Sequence, residues 1–158
     1  YVSLLRAVIQ SGCADLVDIE LFSGDSVPGL IAFAHENGVK VVLSNHDFHQ
    51  TPPEEELYCR LKKMHDMGAD LPKIAVMPQC AGDVLALLSA THRANADFGP
   101  VVTMSMGALG AVSRVAGEIF GSCMTFGAAK RASAPGQLDA RTLKTMLQAL
   151  CLPSEEIV

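Results

Sequence analysis

Strand-like and helix-like segments alternate along the whole chain, and this alternation limits the possible folds more than any other feature. Short apolar runs with β-branched residues are each followed by a longer segment with helical periodicity. The five predicted strands are DLVDIELF, VKVVLSNHD, PKIAVMP, PVVTMSM and CMTFGAA. The predicted helices are YVSLLRAVIQSG before the first strand, and VPGLIAFAHENG, PEEELYCRLKKMHDMGAD, AGDVLALLSATHRANA, GAVSRVAGEIFG and DARTLKTMLQALC after the five strands in turn. The pattern predicts an α/β fold with a parallel sheet covered by helices, either a doubly wound sheet or a (β/α)8 barrel.

Length and composition favour a single folded domain over residues 1–158. The 158 residues suffice for one sizeable core, and 49% of them are hydrophobic. The net charge of −5, without a basic tract, argues against a nucleic-acid partner. The five cysteines are scattered and form no C-x-x-C pair, which favours reduced thiols in the cytoplasm over a zinc ribbon or a disulfide framework. No apolar run has the length of a membrane span, and the dinucleotide motif G-x-G-x-x-G is absent.

Polar residues gather where the predicted strands end. Glu20 lies at the end of the first strand, Ser44–Asn45–His46–Asp47 end the second, and Gln79 and Ser105 follow the third and fourth. In a barrel, this carboxyl-terminal edge carries the active site. A complete barrel needs roughly 250 residues, so five units would be the C-terminal part of one whose N-terminal units are missing. The chain also begins with Tyr1 and not with methionine, so we expect a fragment or a processed product.

The stretch SNHDFHQTP leaves three interpretations of its first histidine open. His46 ends a strand, whereas His49 lies in the following loop, so the two do not share a face as paired metal ligands on a helix would. In the first interpretation His46 binds a metal ion with Asp18 or Glu20. In the second it caps the strand or packs in the core. In the third it is a general acid or base, and Asp18 on the neighbouring strand accepts its other ring N–H.

Lys73, at the start of KIAVMP, has two interpretations. The first is a solvated lysine at the entry of a strand. In the second, Lys73, Ala75 and Met77 face the interior of a barrel, where desolvation favours a free amine that can form a Schiff base.

Several other residues could line a binding site. Arg114, near the start of a helix, is either exposed or binds an anionic group together with the helix N-terminus. Met104 belongs to the core or to a pocket wall. The segment RASAPGQ, with Ser133 and Gln137, is a plain connection or a lid that carries polar side chains to a substrate. Ser105 lacks a G-x-S-x-G setting and is a weak candidate for a nucleophile.

The segments DLVDIELF, VVLSNHDFHQTP, KMHDMGADLPKIAVMPQ, VVTMSMGALGAVSRVAGEIFGSCMTFG and ASAPGQ together resemble the type I 3-dehydroquinate dehydratases of the shikimate pathway, which leads to the aromatic amino acids. The resemblance runs in order from about Tyr1 to Leu150. It implies a (β/α)8 TIM barrel of which the fourth to eighth units are present. It also implies a cytoplasmic homodimer that dehydrates 3-dehydroquinate to 3-dehydroshikimate without a metal or a cofactor.

The resemblance also assigns catalytic roles. Lys73 matches the lysine that forms a Schiff base with the C3 ketone of the substrate. His46 matches the base that removes a C2 proton and then protonates the departing C1 hydroxyl, and Asp18 matches the carboxylate that orients this histidine. His49 has no such role.

Substrate binding is assigned to a second set of residues. Arg114 matches the partner of the substrate carboxylate, and Ser133 and Gln137 lie in the loop that closes over the substrate. Met104 completes the set as part of the pocket wall.

Two alternatives to this function stay open. One is a Schiff-base aldolase on a similar barrel, and the other is a non-catalytic remnant that keeps the fold of a lost enzyme. In the family, the first three units carry glutamate and arginine residues that bind the substrate. We therefore expect the chain, as an isolated fragment, to be inactive and poorly soluble because apolar surface and an edge strand would be exposed.

Overall fold

The computed structural model describes residues 1–150, and within them it has four β-strands and six α-helices. The strands are β1 (Leu16–Glu20), β2 (Lys40–Asp47), β3 (Leu71–Val76) and β4 (Val102–Ser105). The helices are α1 (Val2–Gln10), α2 (Val27–Glu36), α3 (Glu54–Asp66), α4 (Ala81–Phe98), α5 (Ala111–Ala116) and α6 (Ala140–Leu150). None of the helices in residues 1–150 is long and apolar enough to cross a membrane.

The four strands form one parallel sheet in which the spatial order, β1-β2-β3-β4, is also the order along the chain. Parallel neighbours need a crossover connection, and α2, α3 and α4 supply the three crossovers. A doubly wound sheet reverses its strand order at a switch point, and the described strands show no reversal. Of the two folds left open by the sequence, this order is that of consecutive units in a barrel.

Charge along α3 shows why the sequence forms a helix there. The first turn carries Glu54, Glu55 and Glu56, and the last turn carries Lys63 and His65. Acidic side chains near the amino end and basic ones near the carboxyl end are favourable for the helix dipole. The predicted helix PEEELYCRLKKMHDMGAD is therefore confirmed as α3.

The two sides of the sheet carry different residues. On the outer side, Ile19, Leu43 and Ile74 are fully buried and share one core with Leu57 and Leu61 of α3. Replacing a buried leucine of this kind by alanine costs about 2–5 kcal/mol. On the inner side, alternate positions form a smaller apolar cluster beside Lys73, which consists of Ala75, Val102, Met104 and Met106.

The predicted fifth strand, CMTFGAA, is not formed. Among the described residues, the start of this segment contacts the sheet in two ways. Ser122 forms an isolated bridge with Val101, and the N–H of Cys123 donates to the Val101 carbonyl at 2.9 Å. Further along, the N–H of Ala128 donates to Leu138 and its carbonyl accepts from Ala140. The segment therefore contacts Val101, next to β4, at its start and the loop before α6 at Ala128, and forms no continuous strand between them.

Two predicted helices also end differently. GAVSRVAGEIFG is α-helical only in α5, and the stretch Gly117–Phe120 continues as a 3-10 helix. The reason is that the carbonyl of Gly117 accepts from the N–H of Ser122, which turns the chain back toward the sheet. The last predicted helix, DARTLKTMLQALC, is described as far as Leu150, and Cys151 lies outside the described residues.

Candidate active site

A cavity of about 320 Å³ opens on the inner side of the sheet, where the strands end. Phe48 and Phe126 form apolar parts of its wall. Six of the seven site residues predicted from the sequence also line it: His46, Lys73, Met104, Arg114, Ser133 and Gln137. The seventh, Asp18, reaches the site through its contact with Lys73. The predicted residues therefore meet in one place.

Lys73 points from β3 into this cavity and is only 8% exposed. Its Nζ donates to Asp18 Oδ2 at 2.6 Å and lies 5.2 Å from the centre of the Phe126 ring. The interpretation as a solvated lysine at a strand entry is therefore wrong. A buried amine beside a carboxylate and an open cavity has the setting of a nucleophilic lysine.

His46 is held by a different carboxylate from the one predicted. Its Nδ1 lies 2.7 Å from Glu20 Oε2, whereas Asp18 contacts Lys73 and Ser44. The strand register explains the correction. Glu20 pairs with Ser44, which is two residues before His46, whereas Asp18 pairs with Val42, which is four residues before His46. Glu20 is both nearer the strand end and longer. With Nδ1 engaged, Nε2 is the ring atom available to a substrate.

The ring of His46 has a second neighbour, Phe48, which was not among the residues predicted from the sequence. The two rings are stacked with centroids 6.0 Å apart and an angle of 12° between their planes. Alternation along a strand places residues 46 and 48 on the same side, and this signal could have identified Phe48.

Arg114 is buried at 2% exposure, so the interpretation as an exposed arginine is wrong. One guanidinium nitrogen donates to the Pro135 carbonyl at 3.1 Å and another lies 3.6 Å from the sulfur of Met104. Burial lowers the pKa of the guanidinium, because desolvation disfavours the cation. Its Nε–H has no hydrogen-bond partner among the described residues. A buried cation at a cavity wall is suited to bind an anionic group.

The loop that carries Ser133 and Gln137 is tied to itself and to the strand ends. Gln137 Oε1 accepts from the backbone N–H of Ser133 at 2.7 Å and from its hydroxyl at 3.2 Å. Gly136 has φ +73°, and an added Cβ there would lie 2.2 Å from the carbonyl oxygen of Gly107. Backbone thus packs directly on backbone where the loop meets the chain after β4.

Two other candidates lie outside the cavity. His49 is exposed, and its contacts are backbone ones, from its N–H to Asp47 and from Gln79 to its carbonyl. Ser105 is fully buried, and its hydroxyl has no partner in the described part of the chain. Within residues 1–150, no group of three histidine, cysteine or acidic side chains is arranged to hold a metal ion.

A larger cavity, of about 480 Å³, lies behind α5 and shares only Arg114 with the first. Its described lining includes Cys123 but no lysine or histidine. Burial raises the pKa of the Cys123 thiol, which makes the thiolate scarcer at neutral pH. Of the two cavities, only the smaller combines a buried amine with an imidazole.

Comparison with known proteins agrees with this arrangement. The model of the type I 3-dehydroquinase family matches residues 1–152. A 3-dehydroquinate dehydratase of Escherichia coli O157:H7 is 54% identical over 153 residues, which cover 95% of this chain and 61% of that protein. The type I 3-dehydroquinate dehydratase of Clostridium difficile, solved with covalent modified comenic acid, is 50% identical with a TM-score of 0.90, over 95% of this chain and 60% of that one.

A third relative extends the match in structure. The 3-dehydroquinate dehydratase of Geobacillus kaustophilus HTA426 is 41% identical with a TM-score of 0.91, over 94% of this chain and 58% of that one. The chain thus spans about three fifths of the length of these relatives, such as 61% of the Escherichia coli protein. Its parallel sheet and helices match the TIM-barrel structures of these enzymes. The chain belongs to the type I 3-dehydroquinase family.

Proposed function

We propose that the protein carrying this chain dehydrates 3-dehydroquinate to 3-dehydroshikimate through a Schiff base on Lys73. The observation that carries the proposal is the buried Lys73 amine, which faces one cavity together with His46 and Arg114. The names of the relatives and the covalent modification in the Clostridium difficile structure support it.

The first step is the capture of the C3 ketone. The Lys73 amine attacks the carbonyl carbon, and two of the three protons of its ammonium form leave with the carbonyl oxygen as water. The third proton stays on the nitrogen, so that a protonated imine forms. Asp18, 2.6 Å from Nζ, is placed to balance the positive charge of this nitrogen. A protonated imine withdraws electrons more strongly than a ketone, which makes the adjacent C2–H more acidic.

Proton transfer is the task of His46. Its Nε2 takes a C2 proton, and the C–H electron pair forms the C2=C3 bond of an enamine, while Glu20 holds Nδ1. The imidazolium then protonates the C1 hydroxyl, which leaves as water. The enamine electrons form the C1=C2 bond, the imine is restored, and hydrolysis releases the product and the free lysine. Because the imine accepts the electrons, no metal ion or cofactor is required.

Binding is the task of the remaining lining residues. Arg114, a buried cation that lines the cavity, pairs with the substrate carboxylate. Ser133 and Gln137 contribute polar groups from the loop that closes the site, and Met104 contributes an apolar wall. We further propose that residues 1–158 form the C-terminal part of a single barrel domain, in a cytoplasmic homodimer.

The test is to trap the imine in the full protein. The protein is incubated with 3-dehydroquinate and reduced with borohydride, which converts an imine to a stable secondary amine, and peptide mass spectrometry locates the added mass. We expect an adduct on Lys73 and none after Lys73→Ala, while Lys63→Ala, in α3 and outside the cavity, is the control. Turnover by a folded Lys73→Ala protein would contradict the mechanism.

A further inference from the structure

Ser44 occupies the middle of one rung of the sheet, between Glu20 on β1 and Lys73 on β3. Its hydroxyl oxygen is 2.5 Å from Asp18 Oδ1 and 3.4 Å from Glu20 Oε2. Asp18 in turn accepts from Lys73, and Glu20 contacts His46. A buried hydroxyl, on a residue that is 1% exposed, therefore stands between the carboxylate of the lysine and the carboxylate of the histidine.

We propose that Ser44 is a positioning residue for the dehydration, whose hydroxyl donates to Asp18 or to Glu20 as positive charge moves between Lys73 and His46. The inference rests on the proposed function. A hydroxyl hydrogen rotates freely about its C–O bond, so one serine can serve two acceptors in turn.

The charges in each step explain why such a donor is useful. In the imine state the positive charge on the Lys73 nitrogen compensates Asp18, so the hydroxyl, which lies near both carboxylates, can turn to Glu20 without leaving Asp18 uncompensated. Removal of the C2 proton turns the imine into a neutral enamine and places the charge on His46, beside Glu20. Asp18 then loses its cationic partner, and the hydroxyl of Ser44 can replace it. Hydrogen bonds to charged groups are stronger than those between neutral ones.

Ser44 acts through its neighbours and not on the substrate. It is absent from the lining of the 320 Å³ cavity, and its partners Asp18 and Glu20 reach the site only through their contacts with Lys73 and His46. Its loss should therefore change the rate of the proton-transfer steps more than the binding of substrate. We expect kcat to decrease and KM to stay nearly the same.

A matched pair of variants in the full protein tests the hydroxyl separately from packing. Threonine and valine have nearly the same shape, and only threonine has the hydroxyl. We expect Ser44→Val to lower kcat by about tenfold or more, which is the scale of a lost hydrogen bond to a charged group. Ser44→Thr should retain most of the activity, and Ser44→Ala, which needs no extra space, should resemble Ser44→Val.

Ser105→Ala is the control for loss of a buried hydroxyl, because Ser105 is fully buried and its hydroxyl has no partner among the described residues. It should leave kcat and KM unchanged. Thermal melting shows which variants fold. Equal kcat values for the threonine and valine variants, or an unchanged kcat in Ser44→Ala, would overturn the inference.

The borohydride adduct separates this inference from the proposed function. An unsubstituted protein that forms no adduct on Lys73 contradicts the function itself. If the unsubstituted protein forms the adduct and Ser44→Ala turns over at the same rate, only the role of Ser44 is lost. An adduct in Ser44→Ala with slow turnover is the result that we expect.

Discussion

Lys73 and His46 face the same cavity, but each is held by its own carboxylate. The Lys73 amine donates to Asp18 at 2.6 Å, and His46 Nδ1 lies 2.7 Å from Glu20. This separation lets the two groups be tested one at a time, because in the proposed mechanism covalent capture depends on the amine and turnover on the imidazole.

The first prediction concerns His46→Ala in the full protein. We expect it to form the borohydride-trapped adduct on Lys73, since the amine and Asp18 are untouched. Turnover should fall by about 10²–10⁴-fold, the usual size of general acid–base catalysis. His49→Ala is the control, because His49 is exposed and its described contacts use backbone atoms. A His46→Ala protein that forms no adduct would assign His46 to binding or to structure.

Strand alternation predicted on which face of the sheet these side chains lie, but not which carboxylate contacts which base. A period of two places His46, Lys73 and Asp18 on inner faces, and this was readable from the sequence. The stagger between β1 and β2 is set by the packing of the whole sheet, so the sequence did not show that Glu20 reaches His46 first. Phe126 was missed because it lies in the predicted fifth strand, which leaves the sheet.

At the scale of elements, the loop of residues 133–137 is positioned by a contact between two glycines. The backbone of Gly136 packs on that of Gly107 so closely that a Cβ at position 136 would lie 2.2 Å from a carbonyl oxygen. The same loop supplies the Pro135 carbonyl to Arg114 at 3.1 Å. Any shift of the loop therefore changes the position of the cation as well as the polar groups above the cavity.

The second prediction is that Gly136→Ala raises KM for 3-dehydroquinate several-fold and lowers kcat less, measured by steady-state kinetics. The added Cβ pushes the loop from Gly107, and a non-glycine residue at φ +73° costs a further ~1–2 kcal/mol. Gly38→Ala is a matched control because Gly38 has the same φ of +73° but nothing within 4 Å of its Cβ position. Equal KM values for the two variants would mean that the contact with Gly107 does not position the loop.

Short sequence patterns predicted the helices and strands correctly where tertiary packing favours the same secondary structure. The helices α1 to α4 and the strands β1 to β4 form where the apolar runs and the helical periodicity predicted them. The run CMTFGAA has strand-like composition, but after Cys123 bonds to Val101 the chain leaves the sheet, and Ala128 bonds to the loop before α6. Such long-range competition for backbone groups cannot be read from a short window of sequence.

At the scale of the whole molecule, the carboxyl ends and the amino ends of the strands carry different kinds of contact. The carboxyl edge carries the cavity, and the amino edge carries contacts that join elements. There, Asp70 Oδ2 accepts from the N–H of Val41 on β2 at 2.8 Å and lies 2.9 Å from His35 Nε2 on α2. Alternation alone left open whether the sheet was doubly wound or part of a barrel, and the strand order decided between them.

The third prediction is that Asp70→Asn weakens the fold and reduces its sensitivity to acid. Burial alone would raise the pKa of Asp70, but the Val41 N–H and His35 lower it below its usual value. The folded pKa is therefore below the unfolded value of about 3.9. The ionised carboxylate of Asp70 stabilises the fold fully at pH values above the unfolded pKa. This contribution is lost as the pH falls through the folded pKa.

Urea unfolding of the full protein between pH 7 and pH 3 measures this effect. We expect Asp70→Asn to lower the free energy of unfolding at pH 7 by about 1–2 kcal/mol, because hydrogen bonds to a charged group are lost. The difference from the unsubstituted protein should shrink as the pH falls. Asp66→Asn is the control: Asp66 is exposed and pairs with Lys62 one helical turn away, so its loss should cost less than about 0.5 kcal/mol. A difference for Asp70→Asn that stays constant down to pH 3 would show that the Asp70 contacts stabilise the fold independently of its charge and would contradict the prediction.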